Sequence, residues 1–333
     1  MLQKVFPCID AHTCGNPVRV LVDNKPVLTG SNMSERRQDF LANFDWIRTG
    51  LMFEPRGHDA MSGSIIYPAI NRDSDLAILF IEVSGCLPMC GHGTIGTVTV
   101  AIERGLVEPQ QDGVLRLDTP AGLVEARYEM QGGFVESVEL TNVASFLHSE
   151  DITIDVPDLG ELTLDVSYGG NFYAIIEPQN NYHGLTHFSV DEIRRFSPVI
   201  RKILNETLDF IHPDNAAIRD VSHVMWTDGA RDPDASARNA VFYGDRGIDR
   251  SPCGTGTSAR MAQLVGKGQL KIGEKFVHES IIGSLFVGCP IESTRVGSYE
   301  AIVPTVSGWA RIIGTNQIII DERDPYAKGF LLK

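Results

Sequence analysis

Apolar residues alternate with other types in short runs along much of the chain. Such runs contain Val18, Val20 and Val22; Leu76, Ile78 and Phe80; Leu115 and Leu117; Val135, Val138 and Leu140; Leu162, Leu164 and Val166; and Ile318 and Ile320. A period of two puts these residues on one face, so each run predicts a half-buried strand. Helical signals are fewer: residues 35–53 predict one helix and residues 191–207 another. Two further segments are built from small residues, Thr94-Ile95-Gly96-Thr97-Val98-Thr99-Val100-Ala101-Ile102 and Thr257-Ser258-Ala259-Arg260-Met261-Ala262-Gln263-Leu264-Val265. A helix of this kind is apolar nearly all round and has to be buried. The first is rich in β-branched residues, which leaves a strand as the competing reading. Both run into a basic residue followed by glycine, Arg104-Gly105 and Lys267-Gly268, a helix-stop pattern. Two halves of similar plan, each a set of strands around a buried helix, is the simplest architecture.

Each segment is preceded by the same motif, Cys90-Gly91-His92-Gly93-Thr94 and Cys253-Gly254-Thr255-Gly256-Thr257. A helix N-terminus gathers unpaired N–H groups and partial positive charge, which favours a thiolate. Three readings compete. A buried structural cysteine is the default for a free thiol and suits Cys8, Cys14 and Cys289; it does not explain glycines after the cysteine, twice. Metal binding draws on the clustering of Cys86, Cys90 and His92, but the spacing is poor for zinc and nothing matches it near Cys253. Cys86 and Cys90 also lack the Cys-x-x-Cys spacing of a redox pair. The third reading is acid–base chemistry at carbon. Two facing thiols resist ionising together, so the resting pair is one thiolate and one thiol. That pair can remove a proton from one face of Cα and return one to the other. A substrate carboxylate would sit on the backbone N–H groups and Thr255. No motif for pyridoxal phosphate or a dinucleotide is present, so the chemistry is expected to need no cofactor and no metal.

Composition narrows the setting. The 333 residues are 43% hydrophobic and 22% charged, ample for a folded core, and the formal net charge is −14. Such a charge argues against nucleic acid as a partner. There is no apolar run long enough to span a bilayer, and Asp10 and His12 come too early for a signal peptide. Six cysteines are too few for a disulfide scaffold, so a reducing cytoplasm is expected.

The two Cys motifs, the second extended to Asp249-Arg250-Ser251-Pro252-Cys253, resemble the paired signatures of the proline racemase family. So do Asp10-Ala11-His12-Thr13-Cys14-Gly15-Asn16-Pro17, Glu54-Pro55-Arg56-Gly57-His58, Asp118-Thr119-Pro120-Ala121-Gly122, Gly169-Gly170-Asn171-Phe172-Tyr173 and Gly283-Ser284. The resemblance implies an α/β fold of the diaminopimelate-epimerase type. It has two pseudo-symmetric halves, each a β-barrel-like sheet around a central helix, with the substrate site between them, and it is usually a homodimer. The halves would be residues 1–142 with 316–333, carrying Cys90, and residues 143–315, carrying Cys253. Because the family's trans-3-hydroxyproline dehydratases replace the second cysteine by threonine, Cys253 implies inversion.

The likeness is strongest to bacterial enzymes that interconvert trans-4-hydroxy-L-proline and cis-4-hydroxy-D-proline. Proline racemisation and a non-catalytic imino-acid binder remain as alternatives. Carried over by motif, Cys90 and Cys253 would be the two bases. Gly91, His92, Gly254 and Thr255 would hold the carboxylate, Asp249 would meet the ring nitrogen, and His223 would complete the pocket. Each polar residue keeps a plainer alternative. Asp249 could only assist a helix N-terminus, His92 could be a helix-start donor, and His223 could be a packed core histidine. His12 and His58 read as structural loop residues.

Overall fold

The structure, a computed structural model, describes residues 3–332. Met1, Leu2 and Lys333, at the outer ends of the expected first half, lie outside the described residues. The chain divides into two compact units, Met1–Leu140 with Gly308–Lys333, and Thr141–Ser307. In chain order the first contains β1 (Gln3–Thr13), β2 (Asn16–Leu21), α1 (Met33–Asn43), α2 (Asp45–Met52), β3 (Ser62–Pro68), β4 (Leu76–Glu82), β5 (Gly85–Leu87), α3 (Gly91–Glu103), β6 (Val114–Thr119), β7 (Gly122–Gln131) and β8 (Phe134–Thr141). There follow β9 (Ser145–Val156), β10 (Gly160–Tyr168), β11 (Phe172–Ile176), α4 (Val190–Thr207), β12 (Ile211–His212), β13 (Asn215–Arg219), β14 (Val221–Asp228), β15 (Ala237–Tyr243), β16 (Gly247–Ile248), α5 (Gly254–Gly266), β17 (Phe276–Glu279), β18 (Leu285–Val296) and β19 (Tyr299–Gly308). The last strand, β20 (Ala310–Asp321), belongs to the first unit, where it pairs antiparallel with β1.

The units repeat one pattern of pairing. In the first, β1–β2 is antiparallel, β2–β3 parallel, β3–β4 and β4–β5 antiparallel, β4–β6 parallel and β6–β7 antiparallel. In the second, β10–β11, β11–β14, β14–β15, β15–β16, β15–β17 and β17–β18 follow the same sequence of directions. There the ring closes into an eight-stranded barrel, because β19 pairs with both β18 and β9, and β9 with β10. In each unit the short fifth-position strand, β5 or β16, leads directly into the buried helix. The α/β fold with two similar halves is therefore as expected.

The segment after Cys90 is a helix, which removes the competing strand reading. Every residue from Gly91 to Ala101 in α3 and from Gly254 to Leu264 in α5 is buried. Threonines are tolerated inside α3 because their hydroxyls return to the helix: Thr94 Oγ1 donates to Cys90 O at 2.8 Å and Thr99 Oγ1 to Ile95 O at 2.9 Å. Small residues permit close approach. A Cβ on Gly96 would lie 2.9 Å from a Val18 methyl of β2. The stops behave as expected, with Gly105 and Gly268 at φ +59° and +70°, where a side chain is disfavoured.

Two expectations need correction. Residues 35–53 form two helices, not one. Phe44 leaves helical geometry at φ −131°, although its N–H still reaches Phe40 O at 2.7 Å. The break lets α2 bury its own apolar face, Ile47, Leu51 and Met52. Several strands are also covered on both faces. All of β4 is buried, because α1 and α2 pack against it. In the second unit α4 plays this part over β14, β15 and β9. It is held by a capping box between Ser189 and Glu192 and buries Ile193, Phe196, Ile200 and Leu204. Among the described residues no helix is long and apolar enough to cross a membrane.

Packing against α5 sets a test. A Cβ on Gly169, which follows β10, would lie 2.2 Å from Thr255 O and 2.5 Å from Ala259 N. Backbone cannot yield as a side chain can, so Gly169→Ala should destabilise the protein by about 1–3 kcal/mol. Denaturant unfolding with an unchanged slope and a lower midpoint is the expected result.

Candidate active site

In the first unit the site is built on the start of α3. Cys90 is its N-cap, and the Gly93 N–H donates to Sγ at 3.3 Å. The motif's second glycine has a steric role the sequence did not reveal: a Cβ on Gly93 would stand 2.9 Å from Sγ. The thiol donates to Glu82 Oε1 at 3.0 Å, and Ser84 Oγ donates to the other carboxylate oxygen at 2.9 Å. His92 Nδ1 lies 3.6 Å from Sγ. Asn16 Nδ2 lies 2.9 Å from His92 Nε2. His92 Nε2 also lies near the sulfur, at 3.8 Å. Thr13 Oγ1 donates to His92 O at 2.8 Å and fixes the backbone there. Gly91 and His92, as the first helical residues, have N–H groups with no acceptor inside the helix.

In the second unit Cys253 occupies the same place before α5. Its φ of +65° puts a non-glycine residue in the left-handed region, a strained geometry of the kind that gathers at functional sites. Gly256 again clears the sulfur, since a Cβ there would lie 3.0 Å from Sγ. The surrounding groups differ. Tyr173 Oη lies 3.2 Å from Sγ and 2.6 Å from Thr255 Oγ1. Asn171 Nδ2 donates to the same threonine oxygen at 3.5 Å. Asp249 Oδ1 accepts from both N and Oγ of Ser251 at 2.8 Å, and Ser251 Oγ accepts from Cys253 N at 3.2 Å. The parallel pairing of β11 and β14 puts Tyr173 opposite His223. Their rings stack with centroids 4.7 Å apart, and Ser222 Oγ lies 2.7 Å from His223 Nδ1.

Thus Cys253, Thr255, Asp249 and His223 gather in one unit, and Cys90, Gly91 and His92 in the other. Three participants were missed. Glu82 carried a signal, a carboxylate ending the apolar run Ile78-Leu79-Phe80-Ile81. Tyr173 lay in a segment noted only for its resemblance. Asn16 likewise lay in a segment noted only for its resemblance, and His12 and His58 were read as structural loop residues. His12 sits at the end of β1, where its Nδ1 accepts from Gly15 N at 3.1 Å, and His58 Nδ1 accepts from Ala60 N at 3.3 Å.

The electrostatics correct one expectation. The helix N-terminus does not leave Cys253 with a lowered pKa. Burial raises it strongly, Asp249 raises it further, and the Tyr173 hydroxyl, the Gly256 N–H and Thr255 only partly oppose this. Cys86, buried as well, is pushed up to about 12 mainly by burial. Among the described residues Glu82, Cys90 and His92 hold donor atoms within 4.8 Å of one another, and Cys86 is not among them. They are arranged as hydrogen-bond partners: the thiol faces Glu82, and the ring nitrogens of His92 lie 3.6 and 3.8 Å from the sulfur.

The causes acting on Cys253 predict opposite shifts. Asp249→Asn removes a like charge and should move the pH midpoint of iodoacetamide alkylation of Cys253 downward. Tyr173→Phe removes a donor to the thiolate and should move it upward. Peptide-level mass spectrometry reads both, with Cys90 as the internal reference.

Comparison with known proteins adds three findings. Residues 8–331 match the protein-family model for proline racemase. A protein of Ancylobacter novellus named 4-hydroxyproline 2-epimerase is 58% identical over 332 residues, covering 100% of both chains. Among solved structures, a hydroxyproline epimerase from Agrobacterium vitis with bound trans-4-hydroxy-L-proline has a TM-score of 0.92 at 32% identity, over 100% of this chain and 96% of that one. A PhzF-family phenazine biosynthesis protein of Bacillus anthracis, 15% identical with a TM-score of 0.61 over 95% of this chain and 99% of that one, shares the fold.

Proposed function

The chain belongs to the proline racemase family, and we propose that it is a 4-hydroxyproline 2-epimerase working without a cofactor. It would interconvert trans-4-hydroxy-L-proline and cis-4-hydroxy-D-proline by proton transfer at Cα. The observation that carries this reading is the placement of Cys90 and Cys253 at the starts of two buried helices in units of matching topology. The name of the Ancylobacter relative and the ligand of the Agrobacterium vitis structure support the choice of substrate.

In the proposed mechanism one sulfur, as thiolate, takes the Cα proton and forms S–H. The other, as thiol, gives its proton to the opposite face. Each turnover exchanges their roles, so no proton is gained or lost. Negative charge developing at Cα spreads into the substrate carboxylate, held by the N–H groups of Gly91, His92, Gly254 and Thr255, where helix dipoles stabilise it. Asp249 receives the secondary ammonium of the ring, and His223 lies toward the ring substituent. The ammonium has a second effect. Asp249 is one of the two causes holding the Cys253 proton in place. A cation at Asp249 offsets that charge, so substrate itself eases ionisation of Cys253.

The same reading extends to a homodimer in the cytoplasm. The family resemblance supports the first, and six free cysteines suit a reducing compartment.

Turnover in deuterated water should yield the epimer labelled at Cα with its hydroxyl intact, detected by chiral chromatography and mass spectrometry. A pyrroline product would replace epimerisation by dehydration. Faster inversion of proline than of either hydroxyproline would make the enzyme a proline racemase. Binding without turnover would leave an imino-acid binder. Cys90→Ser and Cys253→Ser should each lower kcat by at least about a thousandfold, since a serine hydroxyl is a far weaker acid.

A further inference from the structure

Glu82 is a buried carboxylate that the two-thiol scheme does not use. It ends β4, a strand otherwise wholly apolar, and is 2% exposed. Its side chain is held from two directions. Ser84 Oγ donates to Oε2 at 2.9 Å, which turns Oε1 to the Cys90 thiol at 3.0 Å. Its backbone carbonyl accepts from Arg48 Nη1 of α2 at 2.8 Å. The charged groups packed around this point offset one another in part. Arg48 is ion-paired with Asp45 of the same helix, and Arg37 of α1 donates to Cys86 O. On the α3 side the titratable neighbour is His92, whose ring nitrogens lie 3.6 and 3.8 Å from the sulfur.

Two acids 3.0 Å apart inside the protein cannot both be ionised without placing like charges in contact. A charged Glu82 therefore opposes release of the Cys90 proton to solvent. We propose that Glu82 is the positioning residue that holds the Cys90 proton, so that this carboxyl and thiol share one proton whenever Cys90 acts as base. In the transfer the S–H bond breaks and an O–H bond forms at Oε1, and the net charge of the pair stays at one negative unit. The resulting thiolate would be met by two donors, the Glu82 O–H and the Gly93 N–H, with the His92 ring beside them. This rests on the reading of Cys90 as a base in the proposed function.

The test is alkylation of Cys90 by iodoacetamide, followed peptide by peptide without substrate. In the unaltered protein a shared proton makes the thiolate fraction independent of pH below the thiol midpoint, so the rate should level off from about pH 8 to pH 6. A thiol ionising alone would lose about tenfold in rate per pH unit. Glu82→Gln should abolish the plateau and lower the Cys90 midpoint by at least about one unit, because a like charge is gone. The Cys253 midpoint should stay in place. Glu82→Asp, which keeps the charge, should restore the wild-type midpoint and the position of the kcat–pH profile. A rate that falls tenfold per unit in the unaltered protein, or a Cys90 midpoint unmoved in Glu82→Gln, would overturn the proposal. The plateau needs no variant, so a misfolded substitution cannot hide the answer. Absence of epimerase activity would sink the functional reading while leaving this thiol measurement to be decided separately.

Discussion

The first turns of α3 and α5 lie out of reach of solvent, and the rest of both sites follows from that constraint. The leading N–H groups of a helix have no acceptor within it, and burial denies them water. Partners must be supplied by the residue at the cap or by an incoming anion. Cysteine at the cap supplies one in α3, where the Gly93 N–H meets Sγ at 3.3 Å. A large, polarisable sulfur then lies against the helix's first turn, and only glycine at Gly93 and Gly256 leaves room for it. On the proposed reading, the N–H groups of these first turns face the substrate carboxylate.

On this shared frame the two units place different chemistry around the sulfur. Cys90 has a carboxylate and an imidazole as neighbours, and Cys253 has two hydroxyls with Asp249 beyond them. Burial is the largest influence on Cys253, and a negative group adds to it. A thiol so placed stays protonated until something compensates the charge. On the proposed reading a cationic substrate does so in the second unit, while Glu82 takes up the proton in the first. The Cys253 anion would then be formed mainly when substrate is bound. That ties ionisation of Cys253 to binding.

Local signals in the chain were sufficient where a local rule applies. Alternation located the strands, the basic-glycine pairs located the ends of α3 and α5, and the repeated Cys-Gly motif located both thiols. The motif also made the pseudo-symmetry visible before any coordinates, since each copy opens a helix of small residues. Local rules were insufficient wherever a second layer intervenes. Alternation cannot tell a half-buried strand from β4, whose outer face lies under α1 and α2. Nor could it divide residues 35–53, because the break at Phe44 serves the way α2 packs its apolar face.

The sequence by itself determined the architecture, the positions of the two Cys-Gly motifs and the family, because helix ends, small-residue helices and short motifs are encoded within a few neighbouring residues. Only the tertiary structure decided what surrounds each sulfur. Glu82 reaches Cys90 through the end of one strand, Asn16 meets His92 from another, and Tyr173 joins His223 to Cys253 because β11 and β14 run parallel with a register shift just before Tyr173. Those contacts depend on pairing between distant segments, and the pKa of a buried thiol depends on them in turn. The order of residues names the acids, and their packing decides which of them can give up a proton.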